Sequence, residues 1–187
     1  MATVAVTHFS DRLADAVGSK RSQLVVGLDP AVQRLPAEVD GDIARFCFGI
    51  VDAVAEHAVA VKPQSAFFEA LGSDGVRAYE QVCAYARGVG LLVIADVKRG
   101  DIGSTAQAYA DAFIPLADAI TVNPYLGRDS LAPFVDACRR EGAGMFCLVK
   151  TSNAGGADVQ DVLLANGRLL WHHVADLVRE LGESLVG

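Results

Sequence analysis

A chain of 187 residues that is 52% hydrophobic and 21% charged can bury a substantial core, which excludes a disordered tail. Its 16 Lys and Arg against 23 Asp and Glu give a formal charge of −7 without a dense basic cluster. That balance argues against a nucleic-acid partner while leaving room for a small anion in a local basic pocket. No apolar stretch reaches bilayer-spanning length, and the N-terminus lacks the basic start and long apolar middle of a secretion signal, so a cytoplasmic protein without a membrane partner is expected.

In chain order, FSDRLADAVGSK (9–20) predicts a helix starting near Ser10, and QLVVGLD (23–29) is an apolar run suited to a buried strand. DGDIARFCFGIVDAVAEHA (40–58) predicts a helix with Asp40 or Asp42 as N-cap and Ile43, Phe46, Ile50 and Val54 on one face. A second strand follows at HAVAVKP (57–63) and a helix at DGVRAYEQVCAYARGVG (74–90), with Phe67 and Phe68 expected to pack this unit. GLLVIADVK (90–98) is the third strand and STAQAYADAFIPL (104–116) its helix; DAITVNP (118–124) is the fourth and DSLAPFVDACRREG (129–142) its helix. The fifth strand is GMFCLVKTS (144–152), and NGRLLWHHVADLVRELGESL (166–185) predicts a helix carrying His172 and His173 in an outer position. Between them SNAGGADVQD reads as a flexible rim loop leading to a capped helix in preference to a phosphate cradle. Cys47, Cys83, Cys138 and Cys147 show no C-x-x-C pairing and are expected to be buried, reduced thiols, not metal ligands.

Strand and helix thus alternate five times with no linker, which argues for a parallel sheet clothed in helices and for a single domain over residues 1–187. Each apolar run ends on polar residues: Asp29, Lys62, Asp96 with Lys98, Asn123, and Lys150 with Ser152. In a closed barrel such ends converge on the C-terminal rim, whereas an open doubly wound sheet spreads them along one edge. No G-x-G-x-x-G follows the first strand, which counts against a dinucleotide domain. The expected fold is α/β of the (β/α)8 TIM-barrel type, with about the first five βα units in this chain.

Strand alternation directs Asp96 and Lys98 to the same side, into the barrel mouth, while Asp101 follows in a loop that Gly100 and Gly103 allow to turn tightly. A plainer reading makes Asp96 and Lys98 a surface ion pair and Asp101 a helix N-cap. Lys62 and Asp29, ending other strands, tip the balance: charges gathered in one cleft are kept when they are paired or used.

The block ADVKRGDIGSTA (95–106), with Asp96-x-Lys98-x-x-Asp101 followed by Ile102-Gly103 and Thr105, resembles the signature of the orotidine 5′-phosphate decarboxylase family. GLDP (27–30), VKPQSAFFE (61–69), TVNPYLG (121–127) and KTSN (150–153) are similar to its bacterial subgroup with longer chains, so the resemblance covers nearly the whole chain. It implies conversion of orotidine 5′-monophosphate to UMP and carbon dioxide in pyrimidine synthesis, with neither metal nor organic cofactor, in a homodimer with shared active sites. By motif, Lys98 is the acid that protonates C6, and Asp96 lies against the substrate carboxylate. Asp29 and Lys62 hold the ribose hydroxyls, Lys62 also completing the charge network. Asp101, part of that network, and Thr105 reach the ribose in the neighbouring subunit's site, Ser152 contacts the pyrimidine, and Asn123 is a further substrate contact.

These residue types suit the reaction, because losing carbon dioxide leaves a C6 carbanion with little resonance relief and a fixed ammonium both stabilises and protonates it. The carboxylate of Asp96 would repel the departing carboxylate by on the order of 4 kcal/mol at about 4 Å and an effective dielectric near 20. Preorganisation of Lys98 by Asp96 and Asp101 is an equal account. The chain departs from the family in one respect: the late glycine-rich loop and arginine that grip the phosphate have no counterpart, and Arg168 and Arg179 do not match them. The 187 residues therefore read as the N-terminal portion of a longer barrel, with little or no activity alone. Two other readings are a magnesium-dependent sugar-phosphate decarboxylase or aldolase of the same barrel superfamily, against which Thr105 and VKPQSAFFE argue, and a non-catalytic remnant.

Overall fold

A computed structural model describes residues 7–186. Five parallel strands lie side by side in chain order: β1 (Leu24–Leu28), β2 (Ala58–Pro63), β3 (Leu92–Arg99), β4 (Ala119–Val122) and β5 (Gly144–Cys147). Helices connect them: α1 (Phe9–Lys20), α2 (Ile43–Val54), α3 (Ser65–Glu69), α4 (Gly72–Gly88), α5 (Gly103–Phe113), α6 (Arg128–Glu141), the short α7 (Ala157–Gln160) and α8 (Leu170–Val186). Sequential parallel strands with helical crossovers form five βα units of a (β/α)8 barrel, as expected.

The inner runs β2, β3 and β4 became strands because both of their faces are covered, whereas β1 and β5, at the two edges of the sheet, are more open than a buried strand: Leu24, Val25 and Phe146 are exposed. Val61, Val93, Ala95, Val97, Ile120 and Val122 face the helices in the main core with Val51, Phe68, Val82, Leu131 and Phe134. On the other face α1 lays Phe9, Leu13, Ala16 and Val17 over Val59, Ala60, Ile94 and Ala119. Burial raises the Cys47, Cys83 and Cys138 thiols to about 12, and Cys147, half-buried in β5, to about 11; all four are free.

Polar groups pin α1 in place. Asp118, 3% exposed before β4, accepts the backbone N–H of Val93 at 2.8 Å and pairs with Arg12, which also reaches the Gly142 carbonyl at 3.3 Å. At the other end of α1, Lys20 Nζ donates to the carbonyls of Ala55 and Ala58 at 2.7 and 2.8 Å.

Three local expectations need correction. Asp42, one of the two candidates, caps α2 by accepting the Arg45 N–H at 3.0 Å, but the deepest stripe of that helix is Ile43, Ala44, Cys47 and Val51. Phe46, Ile50 and Val54 flank it half-buried, because the helix is apolar around more than one face. Of the aromatic pair, Phe68 packs edge-on against Tyr79 while Phe67 stays exposed. The fifth strand stops at Cys147: β4 ends at Val122, whose carbonyl takes its last bond from the Leu148 N–H, so nothing remains for Lys150 and Ser152 to pair with.

The α3–α4 junction depends on a missing side chain. A Cβ on Gly75 would land on the carbonyl oxygen of Phe68 and 2.8 Å from Leu71 Cβ. Gly75→Ala is therefore expected to cost about 2 kcal/mol by forcing α4 off the core. Urea denaturation reads this directly, and an unchanged midpoint would contradict it.

Candidate active site

Asp96 is 4% exposed at the C-terminal end of β3 and is flanked by two ammonium groups. Lys62 of β2 reaches its Oδ2 at 2.5 Å, and Lys98 pairs with its Oδ1. Burial pushes the Asp96 carboxyl up, but the hydrogen bonds and charges of Lys62 and Lys98 outweigh it and hold the group below the usual carboxylate range. An ionised carboxylate is thus held almost out of water by two cations that keep one side to solvent, with side-chain exposures of 36% and 45%. Such a charge arrangement suits a substrate that carries its own negative charge to the lysines.

Regular alternation is not what brings Asp96 and Lys98 together. Ile94 and Ala95 pair with Ala119 and Ile120, but the next pair is Arg99 with Val122, so β3 carries two extra residues across this step. In the bulge Lys98 adopts the left-handed region at φ 45°, a conformation that costs about 1 to 3 kcal/mol in a residue with a side chain. The backbone N–H groups of Val97 and Lys98, deprived of ladder partners, both donate to Thr121 Oγ1, at 3.0 and 2.9 Å. The same hydroxyl stands 3.1 Å from Asp96 Oδ1 and 3.4 Å from the Ala95 carbonyl.

The other candidates lie in the segments that follow β1, β3, β4 and β5. Asp29 is exposed just past β1, beside a cavity of about 460 Å³ that it lines with Gln33, Arg34 and Phe67. Asp101 is half-buried in the β3–α5 loop, where its Oδ1 accepts the Ile102 N–H at 2.8 Å, and Thr105 is exposed in the first turn of α5. Asn123 follows β4, accepts the Tyr125 N–H at 3.0 Å and donates its own N–H to the Arg99 carbonyl at 2.7 Å. Gly100 must be a glycine for that approach, since a Cβ there would stand 2.8 Å from the Asn123 carbonyl. Ser152 is exposed in the loop beyond β5, and Lys150 is engaged with Asp161 at 2.5 Å.

A second cavity of about 630 Å³ opens beside Asn123, between Thr151, Gln160, Trp171, His173 and Leu177. Trp171 and His173 line this cleft from α8, His173 staying exposed as expected of an outer helix, while Leu177 packs α8 against the core and Arg128 ties it to α6 through Glu180. The glycine-containing segment forms a single 3-10 turn, Ala154–Gly156, leading into α7. Among the described residues no group of three or more His, Cys, Asp or Glu could hold a metal ion, and no helix is long and apolar enough to cross a membrane.

Sequence reasoning passed over Thr121 and the Glu69–Arg99 pair beside the bulge. Arg99 also lies over the rings of Tyr109 and Phe113, at 5.4 and 5.2 Å from their centroids. The available signal was the inward alternation of Ala119, Thr121 and Asn123, which places a hydroxyl in a stretch otherwise apolar.

Comparison with known proteins identifies the family. Residues 22–187 match the model of the orotidine 5′-phosphate decarboxylase / HUMPS family. Orotidine 5′-phosphate decarboxylase of Rhodopirellula baltica is 45% identical over 197 residues, covering 94% of this chain and 65% of the relative. That of Haloarcula marismortui is 50% identical over 180 residues, covering 91% and 63%. A Streptomyces avermitilis crystal structure assigned as an orotidine 5′-phosphate decarboxylase superposes with a TM-score of 0.84 at 44% identity, over 95% of this chain and 65% of that one. The chain thus spans somewhat under two thirds of the length of these relatives. With the family model running through all five strands, the chain belongs to the orotidine 5′-phosphate decarboxylase / HUMPS family.

Proposed function

We propose that the protein is a carboxy-lyase that converts orotidine 5′-monophosphate to UMP and carbon dioxide without a cofactor, as a cytoplasmic homodimer. The observation that carries this reading is the buried, ionised Asp96 between two half-exposed ammonium groups. The substrate carboxylate would enter against Asp96, and the C6–carboxyl bond would break with its electron pair staying on C6. Lys98 Nζ would then donate a proton to that carbon, and the neutral amine would recover its proton from water. Lys62 and Asp29 would engage the ribose, with Asn123 a further contact and Ser152 on the pyrimidine. Asp101 and Thr105, both on the β3–α5 rim, would serve the site of the second subunit. The phosphate grip implied by the family would be supplied by further βα units of one barrel domain, so the 187 residues alone are expected to turn over little or no substrate.

The test is an assay of the protein expressed from the complete reading frame that encodes these residues. Release of UMP and carbon dioxide, undiminished by a chelator, with one deuterium at C6 when run in D2O, is the expected result. Activity that requires magnesium and an enediolate-forming sugar phosphate would overturn it in favour of the metal-dependent reading.

A further inference from the structure

We propose that Thr121 is a positioning residue for Lys98: its hydroxyl holds the β3 bulge in the one geometry that aims the ammonium group at the reacting carbon. This inference rests on the assignment of Lys98 as the proton donor. A hydroxyl has two acceptor sites and one proton. Here both acceptor sites are filled by consecutive backbone donors, Val97 N–H and Lys98 N–H. The proton is left for Asp96 Oδ1 at 3.1 Å, with the Ala95 carbonyl at 3.4 Å as the poorer alternative. One side chain, itself 9% exposed, therefore ties together the carboxylate, the backbone of the acid, and the strand next door.

The need for it follows from register. From Ala95 to Arg99 β3 advances while β4 moves only from Ile120 to Val122, so no β4 carbonyl is available to the amides of residues 97 and 98. Without a substitute acceptor those amides would lie unpaired, that of Val97 in the core and that of Lys98 half-buried, and the left-handed Lys98 would have no reason to hold its conformation. Valine has nearly the same shape as threonine and lacks the hydroxyl, whereas serine keeps the hydroxyl and loses only a methyl group. Those two changes separate packing from hydrogen bonding.

The experiment uses the protein from the complete reading frame and compares Thr121→Val with Thr121→Ser. In Thr121→Val, kcat for orotidine 5′-monophosphate should fall about 10- to 100-fold with KM within about twofold, because the acid is misplaced while the binding groups remain. Thr121→Ser should stay within about threefold of the unsubstituted protein. Amide hydrogen exchange at Val97 and Lys98 should quicken by about tenfold or more in the valine variant alone. If the valine variant does not fold, Thr121→Cys, with a weak acceptor of similar size, takes its place and should lie between the two. An unchanged kcat, a loss confined to KM, or equal losses in the valine and serine variants would each overturn the proposal. The two levels fail separately: absence of turnover in the unsubstituted protein would remove the decarboxylase reading, while unchanged exchange at Val97 and Lys98 in Thr121→Val would remove the clamp whatever the reaction.

Discussion

Lys98→Ala is expected to lower kcat/KM for decarboxylation of orotidine 5′-monophosphate by about three orders of magnitude or more while leaving the fold in place. General acid catalysis contributes about 10²- to 10⁴-fold, and a fixed charge beside a developing anion about 10²- to 10³-fold; one ammonium supplies both here. The fold should survive because the Lys98 side chain is 45% exposed and Lys62 still neutralises Asp96. Alanine is also the like-for-like comparison for the backbone, since it meets the same penalty at φ 45° that lysine meets. Circular dichroism and steady-state kinetics on the same preparation decide the matter, and turnover within tenfold of the unsubstituted protein would show that another group delivers the proton. Lys62→Ala makes the contrast: it leaves the proton donor in place, so its loss should fall more heavily on KM than that of Lys98→Ala.

What could be read ahead of the structure divides along physical lines. The inner strands were legible because a parallel strand covered on both faces needs an unbroken apolar run, and Ala58, Val59, Ala60 and Val61 form one. The nearness of Lys62 to Asp96 was legible because the two residues end neighbouring strands, and Lys98 was placed beside them by a strand period that the bulge in fact interrupts. The bulge was not. A register break is a property of two strands at once, and nothing within ADVKRG states that β4 will supply two positions where β3 supplies four. Thr121 was hidden for the same reason: a threonine in a strand is ordinary, and its role exists only because the facing amides have lost their ladder. The cleft that Trp171 and His173 line was equally out of reach, because helical periodicity marks which residues share a face and not what that face meets.

The charge balance at Asp96 leads to the second large effect. Burial and the lysines act on this carboxyl in opposite directions, and in the intact protein the lysines win. Its folded pKa lies below the unfolded one, so Asp96 contributes stability that is present above the unfolded value and is lost as pH falls through the folded value. In Lys62→Ala/Lys98→Ala burial is opposed only by the hydrogen bond from Thr121, which should reverse the direction: the folded carboxyl is expected to titrate above the unfolded one. The penalty is then absent in acid and complete once pH has risen past the folded value. At neutral pH the double variant is expected to lose about 3 kcal/mol, the low end for a stranded buried charge, because truncating two stems lets some water in and Thr121 still donates to Oδ1. The deficit should shrink as pH is lowered toward about 3, where the carboxyl is neutral in both states. Adding Asp96→Asn to the double variant should recover most of the loss at neutral pH, since the stranded charge and not the missing lysine stems is its source. Urea denaturation of all three proteins at neutral and acidic pH separates these terms: a deficit that is equal at both pH values, and untouched by Asp96→Asn, would place the cost in packing. The same balance explains why the site can be built at all, for a carboxylate this deeply buried needs a cation against it, and the cations that stand there are the groups the proposed substrate must meet.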